Sequence, residues 1–439
     1  MSGLVKLKSL VDGLSTRAFA VNGAWVIGTQ VVGKGTATLL SLLLARSLSV
    51  GEFATFSYLF TTAAALSSYL AAGLPIAILR AVAEGREERS WARDDRLGAI
   101  LLIGALTVGV AILAAPIYLP WLSSDEVPVP GFLLLVAALA MTGAGLGQAG
   151  LYGSGRFRAA FHPVLVGSAI VVAFTMASLV LDSLTVLIVG NIAGICWSAF
   201  AYFRDLFRHG VLHRRHWSGW PARAAVGDVL GTNLPGLGIN IVYASMGWIL
   251  VRFLIEQQIS PDQFNMYAIG YQWFSLVLFI PLAFGQVLFP QFVAQVQSGS
   301  LSMPKIFFPA GFTFAAVAAC ALIGSLLTPV LSWIYGAKYH FEPAFVLTIL
   351  LAAALSGTVT LLGSFVMAAR SVGIWLLVYV ATALVAVALV WILPLSTALE
   401  AARTLCLIQL TPLVCAIVIA IRYRRSRLAH PASHPKKSG

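Results

Sequence analysis

The chain is a succession of long apolar stretches separated by short polar ones, and a bilayer-spanning helix needs about 20 mostly apolar residues. Scanning its 439 residues on that basis predicts twelve spans: 20–45, 53–79, 97–119, 130–152, 163–181, 183–203, 228–251, 264–289, 307–330, 344–368, 372–394 and 402–421. Only "LDSL" separates the fifth from the sixth. Composition excludes a soluble fold: 59% of residues are hydrophobic, 10% are charged and the mean hydropathy is +0.90. Such a chain has too few polar residues to cover a water-exposed surface. The expected class is an all-α integral membrane protein. Cys196, Cys320, Cys406 and Cys415 sit in apolar segments without a CxxC pair. They read as small buried hydrophobes, not as a disulfide frame or metal site. The opening "MSGLVKLKSLVDGLSTRAFA" is too polar for a cleaved signal peptide.

Lys and Arg set the expected orientation. With the N-terminus in the cytoplasm, 23 of the 28 basic residues fall on cytoplasmic segments. Arg46, Arg252, Lys338 and Arg403 fall outside, and Lys34 lies within a span. The sixteen acidic residues divide evenly between the two sides, as expected where only basic residues direct topology. The net charge of +12 therefore reflects scattered cytoplasmic loops and does not imply a nucleic-acid partner. Both termini are expected in the cytoplasm.

The chain also repeats. "LSVGEFATFSY" (48–58) aligns with "ISPDQFNMYAI" (259–269), setting Ser49 on Ser260, Phe53 on Phe264 and, further back, Asn22 on Asn233. A weaker echo sets "YGSGRFR" (152–158) against "VMAARSV" (366–372), with Arg156 over Arg370. Two six-helix halves of like orientation follow, related by an axis along the membrane normal, with a substrate path between them. The expected organisation is a cytoplasmic segment 1–19, a lobe 20–207, a basic linker 208–227, a lobe 228–421 and a basic tail 422–439.

These residues carry a resemblance. "LLLARSLSVGEFATFSYLFTTAAALSSYLAAGLPIAILRAVAEG" (42–85) resembles the first-to-second helix region of bacterial polysaccharide transporters, the Wzx-like flippases of the MOP (MATE-like) superfamily. The matching positions are Arg46, Leu48, Ser49, Glu52, Phe53, Phe56, Gly73 and Arg80. "GSGRFRAA" (153–160) resembles the family's fourth-to-fifth helix loop. In the second half, Gln291 stands where the repeat has Arg80. The resemblance implies twelve helices in two pseudo-symmetric halves around a central cavity. It also implies a flippase that moves an undecaprenyl-pyrophosphate-linked oligosaccharide from the inner to the outer leaflet by alternating access. The bacterial cytoplasmic membrane is then its location, and surface polysaccharide (O-antigen, capsule or exopolysaccharide) its product. Expected partners are the lipid-linked substrate, membrane lipids, and a polysaccharide polymerase with its chain-length machinery. A monomer is expected, without cofactor, metal or catalytic residue.

Lys34 is the sharpest signal for a site. It lies about 20 Å from either interface at 1.5 Å per residue, beyond the reach of snorkelling. Exposed to lipid it would cost at least ~3 kcal/mol. Gln30, Lys34, Thr38 and Ser41 share one helical arc with Gly23, a polar stripe expected to face a wet cavity. A pyrophosphate or acidic sugar matches an ammonium there; the alternative is a lysine paired with a carboxylate on a neighbouring helix. The seventh span carries Asn233, Asn240 and Tyr243 at helical spacing, and the eighth carries Gln272, Gln286 and Pro281. Their amides and hydroxyl suit sugar hydroxyls or interhelical bonds equally. Arg46 and Arg252 at outer helix ends, and Arg80 at an inner end, are candidates for headgroup exit and entrance, or simple interface anchors.

Other motifs are weaker. "GTQVVGKGT" (28–36) misses the phosphate-binding loop pattern because Gly35 separates Lys34 from Thr36, and no strand precedes it. Gly28, Gly33 and Gly35 instead suit close helix packing. "RHGVLHRRHW" (208–217) reads as a basic surface on lipid headgroups. "DD" at 94–95, between Arg93 and Arg96, reads as a solvated salt-bridged segment. All sixteen acidic residues map to loops or helix ends, which argues against an ion-coupled MATE-type small-molecule exporter, the alternative transporter. A membrane polymerase or glycosyltransferase would need catalytic carboxylates or a sizeable outer loop, and the expected outer loops are short.

Overall fold

The computed structural model describes residues 17–71, 73–85, 91, 94–122, 131–213, 216, 220–256, 259–297, 302–336, 338–369, 372–393 and 395–429. Within these the regular structure is helical. The helices are α1 (Arg17–Ser47), α2 (Val50–Ala71), α3 (Leu74–Glu84), α4 (Asp95–Leu122), α5 (Gly131–Gly153), α6 (Phe157–Leu181) and α7 (Leu184–Arg208). They continue as α8 (Arg223–Glu256), α9 (Pro261–Val277), α10 (Phe279–Gln297), α11 (Met303–Leu326), α12 (Thr328–Tyr335), α13 (Pro343–Ala368), α14 (Val372–Ile392) and α15 (Ala398–Ala429). Every expected span coincides with a helix or a broken helix pair. Among the described residues nine helices are long and apolar enough to cross a membrane, ten if the bent pair α2–α3 is one span. The twelve-span count rests on the sequence, since α8, α9 and α10 are not among these nine.

Local chemistry sets the boundaries. At "LDSL" Asp182 turns left-handed at φ 46° and Ser183 caps α7 by accepting from the Val186 N–H, so α6 and α7 are separate helices. The second span breaks at Gly73, whose φ of 74° glycine adopts without strain, and Pro75 then starts α3. The axes of α2 and α3 diverge by 52°. Pro281 has no N–H to return to the Val277 carbonyl, so the eighth span breaks into α9 and α10. Gly357 on α13 leaves room for that proline ring, since a Cβ there would lie 2.5 Å from it.

The repeat is visible in the caps. Ser49 and Glu52 form a capping box at the start of α2: the Ser49 N–H donates to Glu52 Oε2 at 2.9 Å and the Glu52 N–H to Ser49 Oγ at 3.3 Å. Ser260 caps α9 at the equivalent place, accepting from the Gln263 N–H. Phe53 and Phe264, one turn into each helix, are both buried. Helix pairing recurs too: α1 packs on α6 as α8 on α14, α2 on α5 as α9 on α13, and α5 on α7 as α13 on α15.

The largest core joins the two repeats, with Leu44, Phe53 and Tyr58 packed among Tyr267, Trp273, Tyr335, Tyr339 and Phe345. Large apolar side chains such as Leu113, Ile117, Val180 and Leu326 point outward, as lipid contact requires. Cys196 and Cys320 are exposed on such outward faces, which corrects the expectation that all four cysteines are buried. In a bilayer the outward face is as apolar as the core, so an apolar context does not imply burial.

Candidate functional site

Lys34 sits near the middle of α1 and its ammonium reaches across to α9. Its Nζ donates to the Ser275 carbonyl at 2.9 Å and to Ser275 Oγ at 3.0 Å. The carbonyl is available because α9 ends at Val277, so its last turn has no helical N–H to receive. That helix terminus is also the negative end of the α9 dipole, where a cation is favoured. The break imposed by Pro281 therefore supplies the oxygens that hold the lysine. Among the described residues no carboxylate lies within salt-bridge distance of Lys34, whose two bonds are both to Ser275. The carboxylate-pair alternative is thus not met. An ammonium has three donors, and Ser275 takes two.

The rest of the expected stripe divides. Thr38 Oγ1 is spent on the Lys34 carbonyl one turn back, at 2.9 Å. Gln30 is half-buried one turn before Lys34. Ser41, two turns on and 2% exposed, lines a cavity of about 580 Å³. Gln272 of α9 lines the same cavity. The remaining walls come from α1, α2, α5, α6 and α7, and include Gln148, Ser168, Asn191 and Tyr202. The cavity thus lies mostly within the first six spans, with α9 closing one side, while Lys34 points past it toward Ser275. Lys34, Gln30 and Thr38 are not among its lining residues. Asn233, Asn240 and Tyr243 fall on α8, but their side chains lie outside the described residues, as does that of Gln286.

The three arginines lie apart from Lys34. Arg46 Nη2 donates to the Trp333 carbonyl at 2.6 Å, and its guanidinium lies 6.0 Å from the Trp333 ring centroid. It ties the end of α1 to α12. Arg80 lines a pocket of about 50 Å³ with Arg96 and Asp228, where α3, α4 and α8 meet. Arg252 is half-buried near the end of α8. Asp94 pairs bidentately with Arg96, at 3.0 and 2.8 Å, as the charged segment predicts. Gly28 and Gly33 face Phe161 and Val164 of α6 at ordinary contact distance, so they face a neighbouring helix without demanding glycine.

Two further bonds join the repeats near Arg46. Lys338 Nζ donates to the Leu48 carbonyl at 3.2 Å, and buried Asn265 donates from Nδ2 to the Val50 carbonyl at 2.9 Å. Trp248 Nε1 reaches Thr62 Oγ1 of α2 at 3.4 Å from α8.

Solved structures of this shape exist. An inward-facing multidrug resistance MATE family transporter of the MOP superfamily matches with a TM-score of 0.69, covering 94% of this chain and 99% of that one at 14% identity. The chain has the fold of the MOP-superfamily transporters. Another MOP-superfamily transporter, from Pyrococcus furiosus and described as having a binding pocket of reversed polarity, matches with a TM-score of 0.66 at 14% identity, covering 93% and 96%. In sequence, the EPS I polysaccharide export inner membrane protein EpsE of Ralstonia nicotianae is 26% identical over 386 residues, 83% of this chain and 86% of that protein. No family model matches the chain. These likenesses bear out the resemblance read from residues 42–85 and 153–160, to a polysaccharide transporter of the MOP superfamily.

The sequence reading did not name Ser275, which holds Lys34, or Gln148, Ser168, Asn191 and Tyr202, which line the cavity. Gln148 and Asn191 carried a usable signal, since each is an amide placed inside an apolar span.

Proposed function

We propose that this MOP-fold protein is a flippase that carries an undecaprenyl-pyrophosphate-linked oligosaccharide from the inner to the outer leaflet of the bacterial cytoplasmic membrane. The carrying observation is Lys34: an ammonium deep in the bilayer, held by the two oxygens of Ser275 and by no described carboxylate. Neutral oxygens leave its charge uncompensated, and a diphosphate compensates it. EpsE, an export protein of polysaccharide by its name, supports the same cargo class.

The bonds suggest a working cycle. Lys34 bridges α1 and α9, helices from the two repeats. A diphosphate arriving at Lys34 offers charged acceptors, which add charge–charge attraction that the neutral oxygens of Ser275 do not supply. The lysine then exchanges Ser275 for cargo, and one bridge between the repeats is lost. With the N-terminus in the cytoplasm, the Arg46–Trp333, Lys338–Leu48 and Asn265–Val50 bonds close the outer end. Their rupture would open the outer face for release. Arg80 and Arg96 stand at the inner end and suit an arriving diphosphate. A polymerase acting on the flipped product is the partner this role calls for.

The likeness to multidrug transporters favours a second reading, a small-molecule exporter. A cationic drug would meet a lysine rather than an acid, so the charge at the site favours the flippase. The test is complementation of a strain lacking the gene. Lys34→Arg is expected to retain partial export of surface polysaccharide, and Lys34→Ala and Lys34→Gln to lose it at equal expression. Export by Lys34→Ala at the wild-type level overturns the proposal.

A further inference from the structure

The cavity beside Ser41 is not used by a phosphate held at Lys34. We propose that it is a subsite for the neutral, hydroxyl-bearing glycan of the cargo; the assignment rests on the flippase reading above. At about 580 Å³ it falls inside the ~300–1,000 Å³ typical of small-molecule sites. None of its lining residues is charged, so it suits neither a phosphate nor an ammonium. It combines the rings of Phe56, Phe60 and Tyr202 with the amides of Gln148, Asn191 and Gln272. Apolar surface with a few convergent amides matches a sugar, which has C–H faces and a rim of hydroxyls. A Cβ built at Gly145, on the wall, meets nothing within 4 Å, so the space beside it is open.

Two residues of the wall carry a polar atom without a partner. Ser41 Oγ and Gln272 Oε1 are buried and have no hydrogen-bond partner. A buried polar atom without a partner is costly, and native interiors rarely leave one without a reason. A lipid tail in the cavity would leave both unsatisfied. Rotation of either side chain about its own bonds turns its polar atom into the cavity, where a glycan hydroxyl donates to Gln272 Oε1 and exchanges bonds with the Ser41 hydroxyl.

Placement joins this cavity to the lysine. Gln272 lies three residues before Ser275 on α9, about 4.5 Å along the axis, and Ser41 seven residues beyond Lys34, about 10.5 Å along α1. The two helices that hold the ammonium therefore also present the two unsatisfied atoms. A diphosphate at Lys34 and its first sugars in the cavity form one contiguous occupant.

The experiment uses the full chain in nanodiscs and a phosphate-free repeat-unit oligosaccharide, hydrolysed from the host's own surface polysaccharide. Saturation-transfer NMR reads its binding. Wild type is expected to transfer saturation to glycan protons, undiminished by added inorganic pyrophosphate. Gln272→Leu removes an acceptor and Ile195→Trp fills the cavity. Gln272→Leu is expected to weaken binding about fivefold, the scale of one lost hydrogen bond, and Ile195→Trp to abolish it by occupying the space. Cys320→Ser, on an outward face, serves as the control. If one variant fails to fold, the other decides. Absence of transfer to the glycan in wild type, binding untouched by the folded variants, or transfer to acyl-chain protons instead overturns the subsite. Such a failure with Lys34-dependent export intact removes the subsite alone. Intact glycan binding with Lys34-independent export removes the phosphate reading alone.

Discussion

Lys34 and Ser275 stand 241 positions apart and meet through two hydrogen bonds, 2.9 Å to the carbonyl and 3.0 Å to the hydroxyl. Because one acceptor is backbone, the contact tests the lysine's role without touching the lysine. Ser275→Ala keeps the carbonyl and is expected to retain export, since the bond it removes is one that the cargo itself displaces from the ammonium. Ser275→Asp places a carboxylate where the hydroxyl stood and pairs the ammonium. The cargo must then displace an ion pair, and export is expected to fall by more than about tenfold, because a buried pair is hard to break. Export by the aspartate variant equal to that of the alanine variant, at matched expression, would show that the free charge is not used.

That pair also shows where legibility ended. Hydropathy located the spans, and Pro281 stood within the eighth. What it could not give was the partner: the Ser275 carbonyl is exposed to Lys34 only by a helix end, and its recipient comes from the other repeat. Asn191 and Gln148 stood in apolar spans but were not connected to one another. Within a membrane the lipid side and the core side of a helix are equally apolar, so periodicity does not reveal which face looks inward. The same blindness placed Cys196 and Cys320 inside when they face out. By contrast Ser49, Ser260 and their phenylalanines were legible, because a cap and the residue one turn later are fixed by local chemistry.

The close approach of α6 and α7 gives a prediction about stability. A Cβ on Gly167 would lie 2.7 Å from the Gly194 carbonyl oxygen and 2.5 Å from Ser198 Oγ. One of these is backbone and cannot move alone. Gly167→Ala is expected to destabilise by ~1–3 kcal/mol, the usual cost of overpacking. Thermal unfolding in detergent checks this. Gly145→Ala, with nothing within 4 Å, is the paired control and is expected to leave the midpoint unchanged.

The capping box at the start of α2 gives another. Glu52 accepts from the Ser49 N–H and hydroxyl, and Ser49 Oγ accepts from the Glu52 N–H. Ser49→Ala removes the cap and is expected to cost ~0.5–2 kcal/mol, visible as a lower unfolding midpoint. Ser260→Ala at the repeat-equivalent cap is expected to cost less, because its hydroxyl accepts one longer bond, 3.4 Å, and has no returning acid. Equal losses from the two would show that the acid adds nothing.

The bonds joining the repeats near Arg46 can be tested as a gate. Asn265 is fully buried and supplies the Val50 carbonyl with a donor, while Lys338 reaches the Leu48 carbonyl from the surface. If this end must part for release, holding it shut stops export with the cargo site intact. In a chain whose Cys196, Cys320, Cys406 and Cys415 are replaced by serine, Ser47→Cys and Lys338→Cys are joined by a reducible bifunctional methanethiosulfonate. Export by spheroplasts is expected to stop on cross-linking and to return on reduction, while each single-cysteine chain is unaffected by the reagent. Asn265→Leu acts in the opposite sense: the Val50 carbonyl loses its donor, and the closed end loses ~1–3 kcal/mol. Maleimide labelling of the single cysteine at position 47 is then expected to quicken. Export that continues through the cross-link would place the moving interface elsewhere.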